Sequence, residues 1–294
     1  MMQSHSTQIP DRPDFVVEDL RAPEGVDLDV ELGLFRRIME REAVRKALVI
    51  VILIAAWEIY TTIGSVNPLL FPSFTSTFAA LIDVTLSGEI FVKAWFSFRI
   101  LFFGYPLGIA LAAILVILAS ASRLGRDFLS LITSIFQPLP AIALLPLATL
   151  WFGFGEPSLV FVTIHSIVWA VSLSTLAGFG AVGRTLVMVG ENYGVSGLGL
   201  MRLVLVPAAL PSILTGLRIG WAFAWRTLIG AELIFGAVSG AGGLGAMVFE
   251  NSDWLRTDRV FATMVVIIMV GLVIENLIFV NIEKRTVRRW GTQS

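Results

Sequence analysis

The chain has no cysteine, which excludes disulfide frameworks, thiol nucleophiles and thiolate metal sites. Charge is scarce as well. Asp, Glu, Lys and Arg make up 15% of the 294 residues, against ~25% in an ordinary soluble domain. The net charge of −1, from 21 basic and 22 acidic residues, supplies no basic field for nucleic acid. No G-x-x-x-x-G-K-[ST] loop occurs anywhere, so the chain cannot cradle a nucleotide phosphate in that way. What the chain has in abundance is apolar surface. Apolar residues reach 56%, or about 65% with the 26 glycines, where ~45–50% is usual. A soluble core of this length cannot hide that much, and so few charges cannot wet its outside. Composition leaves an all-α polytopic membrane protein, in which lipid is the neighbour.

A transmembrane helix needs about 20 mostly apolar residues. Six segments qualify, at about 47–64, 100–122, 128–155, 158–181, 213–236 and 260–282. The third is uncharged but carries Pro138, Pro140 and Pro146, which can bend it or free backbone carbonyls, or simply allow close packing. Lys and Arg are retained on the cytoplasmic side. With both termini cytoplasmic, Lys93, Arg99, Arg256 and Arg259 fall outside, and Arg218 and Arg226 fall within a span. Every other Lys and Arg falls inside. The chain is therefore expected to cross a membrane six times with both termini on the cytoplasmic side.

Residues 1–34 differ in kind. They hold Asp11, Asp14, Glu18, Asp19, Glu24, Asp27, Asp29 and Glu31 against Arg12 and Arg21, a composition that reads as a mobile cytoplasmic tail. They lack the pattern of a cleavable signal peptide, so the first span is expected to stay in the chain. Residues 35–46 alternate apolar and charged positions at helical spacing, as in a helix lying in the interface. Residues 73–86 read as a short amphipathic segment outside, and 283–294 as a basic cytoplasmic tail.

The stretch 184–211 fits no span. It is polar and glycine-rich at its start yet too apolar for a free loop. The pattern predicts a helix over 185–193, a turn at Gly194 and a second helix over 197–206, stopped by Pro207 and Pro211. Two readings stand on the residues alone: a helical docking knob for another protein, or a re-entrant or connecting loop.

The order of motifs narrows this. Gly194-Val195-Ser196 is followed thirteen residues after Gly194 by Pro207, in Val206-Pro207-Ala208-Ala209-Leu210-Pro211, and then by Leu214-Thr215-Gly216-Leu217-Arg218. Upstream stand Gln137-Pro138-Leu139-Pro140, Leu145-Pro146 and Trp151-Phe152-Gly153-Phe154-Gly155-Glu156. In these features, over about residues 46–290, the chain resembles the membrane subunit of ATP-binding-cassette importers of the nitrate/sulfonate/taurine/bicarbonate branch. It departs from that family where the loop's Glu-Ala-Ala falls at Met188-Val189-Gly190, with Glu191 three residues late.

The resemblance implies a type I importer fold, with 184–211 as a coupling loop in a groove of a cytoplasmic ATPase. Glu191, Asn192, Tyr193, Gly194, Val195, Ser196, Gly197, Leu198, Arg202, Pro207 and Pro211 would form that contact. It implies a second permease subunit (a homodimer is the simplest form), two ATPase subunits that hold ATP and Mg, and an external binding protein. The solute is expected to be small and anionic, and this chain to be a transport subunit with no cofactor of its own. An ion-coupled secondary transporter or channel is the alternative from another class.

Five residues are candidates for the translocation path or its gating: Pro138, Pro140, His165, Arg226 and Glu232. Ionised groups inside a span are costly and normally face a cavity or a partner. Arg226 suits a cationic site for an anion, or half of a buried ion pair. Glu232 lies six residues on, about 600° around the helix, so the two do not share a face, and a structural or gating role is expected of it. His165 has no carboxylate or second histidine nearby in sequence, so a metal site is not expected and hydrogen-bonded packing is the plainer reading. Glu275 reads as interhelical glue, and Glu58 as a snorkelling side chain. Residues 240–245 spell a literal G-x-G-x-x-G, but after a span rather than a strand, so a tight outer loop is the better account. No catalytic constellation appears.

Overall fold

The computed structural model describes residues 41–64, 66–239 and 242–282. The acidic segment 1–34, residues 35–40 of the segment 35–46, and the basic segment 283–294 lie outside the described residues. The chain divides into two compact units, Met1–Leu53 and Ile54–Ser294. In the first, the described part opens helix α1 (Glu42–Ile63). It exposes Leu48, Val49, Ile50, Val51, Ile52 and Leu53, an all-round apolar surface that suits lipid. An i,i+4 pair of Lys46 with Glu42 at 2.6 Å stands at its start.

The second unit holds the remaining helices: α2 (Phe74–Leu86), α3 (Glu89–Ser120), α4 (Arg123–Phe136), α5 (Leu145–Phe152), α6 (Glu156–Ala181), α7 (Arg184–Asn192), α8 (Gly197–Ala208), α9 (Leu210–Ser239), α10 (Leu244–Asp253) and α11 (Thr257–Val280). The architecture is an all-α membrane fold. Helix α6 lies at its centre between α3 and α9. Two small-residue stripes make that approach possible. A methyl group at Gly104 or Gly108 of α3 would run into Thr163 and Ile167 of α6, and one at Gly216 or Gly220 of α9 would meet Ser174 and Val171. Both stripes are G-x-x-x-G, the spacing that lets apolar helices pack closely in lipid. Ile100, Leu159, Ile167, Leu228 and Met247 fill the core around them.

The third span is not the continuous helix over 128–155 that its apolar run predicts. Gln137 keeps helical geometry as the C-cap, but Pro138 and Pro140 have no N–H to carry the hydrogen-bond ladder on and Pro140 is extended, so α4 stops at Phe136 and the chain turns by 87° into Ala141–Phe152. That second piece opens with a 3₁₀ turn, Ala141–Leu144. Pro146 then sits in the first turn of α5, where its missing N–H is harmless. Ser122 caps α4, its Oγ accepting from Gly125 N–H at 2.9 Å.

Pro207 does not stop the helix after Gly194 either. Helix α8 runs on to Ala208, because a wide π turn at Met201–Leu205 precedes the proline and accommodates the N–H it lacks. The break comes at Ala209, with a bend of 76° into α9, and Pro211 opens α9 rather than closing α8. Helix α3 extends eleven residues further toward its start than the span expected from 100, carrying Lys93, Ser97 and Arg99 along its first turns.

Candidate functional site

Four of the sequence-selected residues line one cavity. Pro138 and Pro140 from the α4–α5 bend, His165 from α6 and Arg226 from α9 surround a space of about 190 Å³ with Phe136, Gln137, Leu139, Ala141, Ser166, Trp169, Ala170, Phe223 and Thr227. Helical spacing explains the company. His165 and Trp169 are i and i+4 on α6, and Phe223, Arg226 and Thr227 are i, i+3 and i+4 on α9. His165 lies about 14 Å along α6 from its start, in a helix about 39 Å long. Phe136 stacks on Trp169 with ring centroids 5.3 Å apart and meets His165 edge-on at 6.3 Å. Ser166 Oγ and Thr227 Oγ1, 2.9 Å apart, tie α6 to α9 beside it.

The polar groups here are unusual. Among the described residues neither ring nitrogen of His165, nor Nε1 of Trp169, has a hydrogen-bond partner, although all three are buried. The hydrogen-bonded packing expected of His165 is therefore absent: aromatic edges surround the ring. A buried unpartnered polar group costs about 1–3 kcal/mol. Arg226 is exposed, and no hydrogen bond or ion pair engages it among the described residues. The lining carries this one formal cation and no carboxylate.

Glu232 is elsewhere. It is fully buried and turned to α10. Its Oε2 accepts from Ser97 Oγ at 2.8 Å and from Gly245 N–H at 3.0 Å, while Ser97 Oγ accepts from Leu244 N–H at 3.0 Å. A carboxylate and a hydroxyl thus receive the first amides of α10, where the helix dipole favours negative charge. The glycines of the G-x-G-x-x-G run serve this contact: a methyl at Gly243 would collide with Ser97 and Glu232, and one at Gly245 with Ile229 O and Glu232 Cβ. One turn away on α3, Lys93 Nζ holds Glu250 near the other end of α10 at 2.7 Å. Sequence reasoning found Glu232 but missed Ser97 and Lys93. Their i,i+4 spacing on an amphipathic first turn was the available signal.

Other charges pair between helices. Arg218 joins Glu275 at 2.5 Å, Arg99 joins Glu156, and Arg259 joins Asp83 at 2.5 Å. Glu58, expected to snorkel, instead accepts from Thr75 N–H at 3.1 Å and Thr75 Oγ1 at 2.7 Å at the start of α2. Among the described residues no three His, Cys, Asp or Glu side chains converge as metal ligands would.

The segment 184–211 forms a compact helical knob. Helix α7 ends in a Schellman motif: Gly194, at φ +75°, donates to Glu191 O at 2.9 Å, and Val195 N–H reaches Gly190 O at 3.0 Å. Gly190 is buried where α7 meets α8, since a methyl there would press on Leu200 and Val204. Outward stand Glu191, Asn192, Ser196, Gly197 and Arg202, all exposed. Tyr193, Leu198 and Leu203 join them, exposed by 84%, 67% and 64%. Val195 is half-buried, Pro207 is exposed, and Pro211 is half-buried in the first turn of α9.

Residues 104–288, which contain the cavity, Glu232 and the knob, match the family of binding-protein-dependent transport system inner membrane components. The chain belongs to that family. The permease is 31% identical over 237 residues to the taurine transport system permease protein of Escherichia coli (strain K12), covering 76% of this chain and 82% of the relative. It is 28% identical over 239 residues to a putative aliphatic sulfonates transport permease protein of Bacillus subtilis (strain 168), covering 81% and 84%. A putative ABC transporter permease protein of Methanocaldococcus jannaschii is 28% identical over 247 residues, covering 83% and 91%. The chain is thus an ABC-transporter permease of the taurine and sulfonate branch, a membrane-embedded transport subunit. Trp169, Gln137 and Thr227 escaped selection from the permease's sequence. Gln137 entered only as part of the Gln137-Pro138-Leu139-Pro140 motif, and proximity along the chain to His165 and Arg226 was the only clue to Trp169 and Thr227.

Proposed function

We propose that this permease is one membrane half of an ATP-driven importer that carries a small anionic solute inward. The knob at 184–211 is the observation that supports it most. A rigid pair of short helices, joined by a left-handed glycine and exposing Tyr193, Leu198 and Leu203, is a surface for a partner rather than for water. The partner is a cytoplasmic ATPase, present twice, which holds ATP and Mg; closure of its subunits pulls on α7 and α8 and, through the Ala209 bend, on α9. The cavity is open where Phe136 to Pro140, Phe223 and Arg226 are exposed, and a second copy of the permease facing that side completes the pathway. An external binding protein delivers the solute.

Sidedness follows from charge. Arg123, Arg126, Arg184 and Arg202 are exposed without an acidic partner among the described residues, as suits the cytoplasmic face; of the four basic residues on the other side, Lys93, Arg99 and Arg259 pair with acids and Arg256 is exposed without one. The solute class follows from the lone cation, Arg226, and from relatives named for taurine and aliphatic sulfonates. The test is isolation of the tagged chain from its native membrane. An ATPase subunit is expected to come with it and to be lost from the Leu198→Asp variant. A wild-type chain that never recovers such a subunit, yet transports on an ion gradient, overturns the reading.

A further inference from the structure

A knob that pulls on α9 moves one helix, whereas a pathway that opens has to move several. We infer that Arg218 and Trp221 of α9, with Glu275 and Phe279 of α11, form a mechanical joint that makes α11 follow α9 when the knob is displaced. Arg218 and Glu275 are its positioning residues. The inference rests on the importer reading and adds to it a route by which motion spreads.

The joint lies close to the knob. Arg218 is about 12 Å along α9 from its start beside the Ala209 bend. Gly216 and Gly220, on the other side of the same turns, let α9 approach α6 closely. Tyr105 Oη of α3 donates to Leu217 O at 2.9 Å. The opening turns of α9 are thus held on two helices, and Arg218 reaches a third. Its Nη2 and Nε both donate to Glu275 Oε1, at 2.5 and 3.2 Å. Trp221 meets Phe279 with ring centroids 6.5 Å apart and stacks on Trp225 at 6.2 Å. Trp225 packs where Gly271 leaves room, since a Cβ there would stand 3.3 Å from the indole nitrogen. The strip is i, i+3, i+7 on α9 and i, i+4, i+8 on α11, so one face of each helix is committed to the other.

Three features make this contact hold rather than slide. Arg218 is the one charged residue over 203–225, and Glu275 the one over 260–282. Separating them leaves each charge among apolar neighbours, which is costly. Glu275 also opens a π turn, Glu275–Val280, in which Phe279 is buried, and such turns recur at functional sites in helices. Toward the other end of the two helices α10 packs on both. A displacement of α9 is therefore carried into α11 instead of being lost between them.

The absence of cysteine lets one bimane label report one helix at a time. Labels at Ile219→Cys on α9 and at Leu277→Cys on α11, both exposed positions, are followed in the full complex of permease, ATPase and binding protein as Mg-ATP and vanadate are added. Both emissions are expected to shift. Glu275→Gln is expected to keep the α9 shift and lose most of the α11 shift, with ATPase recovery and the thermal transition unchanged. A residue that served the fold alone would lower all of these together, and that outcome overturns the joint. Reversing the pair, Arg218→Glu with Glu275→Arg, is expected to restore the α11 shift. An α11 shift untouched by Glu275→Gln, or not regained in the reversed pair, overturns the joint and leaves the importer reading standing. A complex in which ATP shifts neither label overturns both, because the joint then has no motion to carry.

Discussion

Arg226 and Glu232 sit six residues apart on one helix and do opposite work. Arg226 faces a cavity with no acid in its lining, whereas Glu232 is fully buried and receives two donors at the start of α10. Their spacing alone showed that they cannot face each other. Removing Glu232 leaves the Gly245 amide and the Ser97 hydroxyl without their acceptor inside the fold. Glu232→Ala is expected to lower stability by about 1–3 kcal/mol, read as an earlier thermal transition of the detergent-solubilised protein. An unchanged transition contradicts the anchoring role. Arg226→Gln predicts the reverse pattern: an unaltered transition, because no described residue depends on the side chain, but loss of solute uptake by the assembled complex. Normal uptake by that variant removes Arg226 from the path.

At the scale of elements, proline and glycine decide more than hydropathy does. An uncharged run over 128–155 reads as one span, yet Pro138 and Pro140 divide it into α4 and α5 at 87°, and that division is what opens the cavity. Apolar content says that a segment belongs in lipid; it does not say whether the segment is straight. The knob was more legible, because Gly194 marks a left-handed helix end and Pro207 and Pro211 mark the approach to α9. Pro207 misled by two residues, since a π turn absorbed it. Gly194 holds φ +75° with open space where a Cβ would stand, so Gly194→Ala tests backbone geometry without a clash. It is expected to destabilise the knob by about 1–2 kcal/mol and to weaken ATPase recovery, with the transmembrane helices unchanged by circular dichroism. Recovery equal to wild type denies the turn its part in docking.

Across the whole molecule, composition established a membrane protein at once, and the six apolar runs foreshadowed the helices. The partners of individual charges were not legible. Lys93 with Glu250, and Arg259 with Asp83, join residues 157 and 176 positions apart, and no local pattern encodes such pairs. A chain without cysteine also makes sidedness simple to measure. Single cysteines at Ser196 and at Thr257 are expected to react with a membrane-impermeant maleimide from the cytoplasmic and external faces respectively, and labelling from the opposite faces inverts the topology. The central claim, an ATP-driven route for a small anion gated by the knob, is tested most directly by proteoliposomes containing the permease, its ATPase and the external binding protein. ATP enclosed on the ATPase side is expected to drive accumulation of the binding protein's anionic solute, abolished by Leu198→Asp and by Arg226→Gln. Accumulation that proceeds without ATP, or that survives both substitutions, contradicts the account.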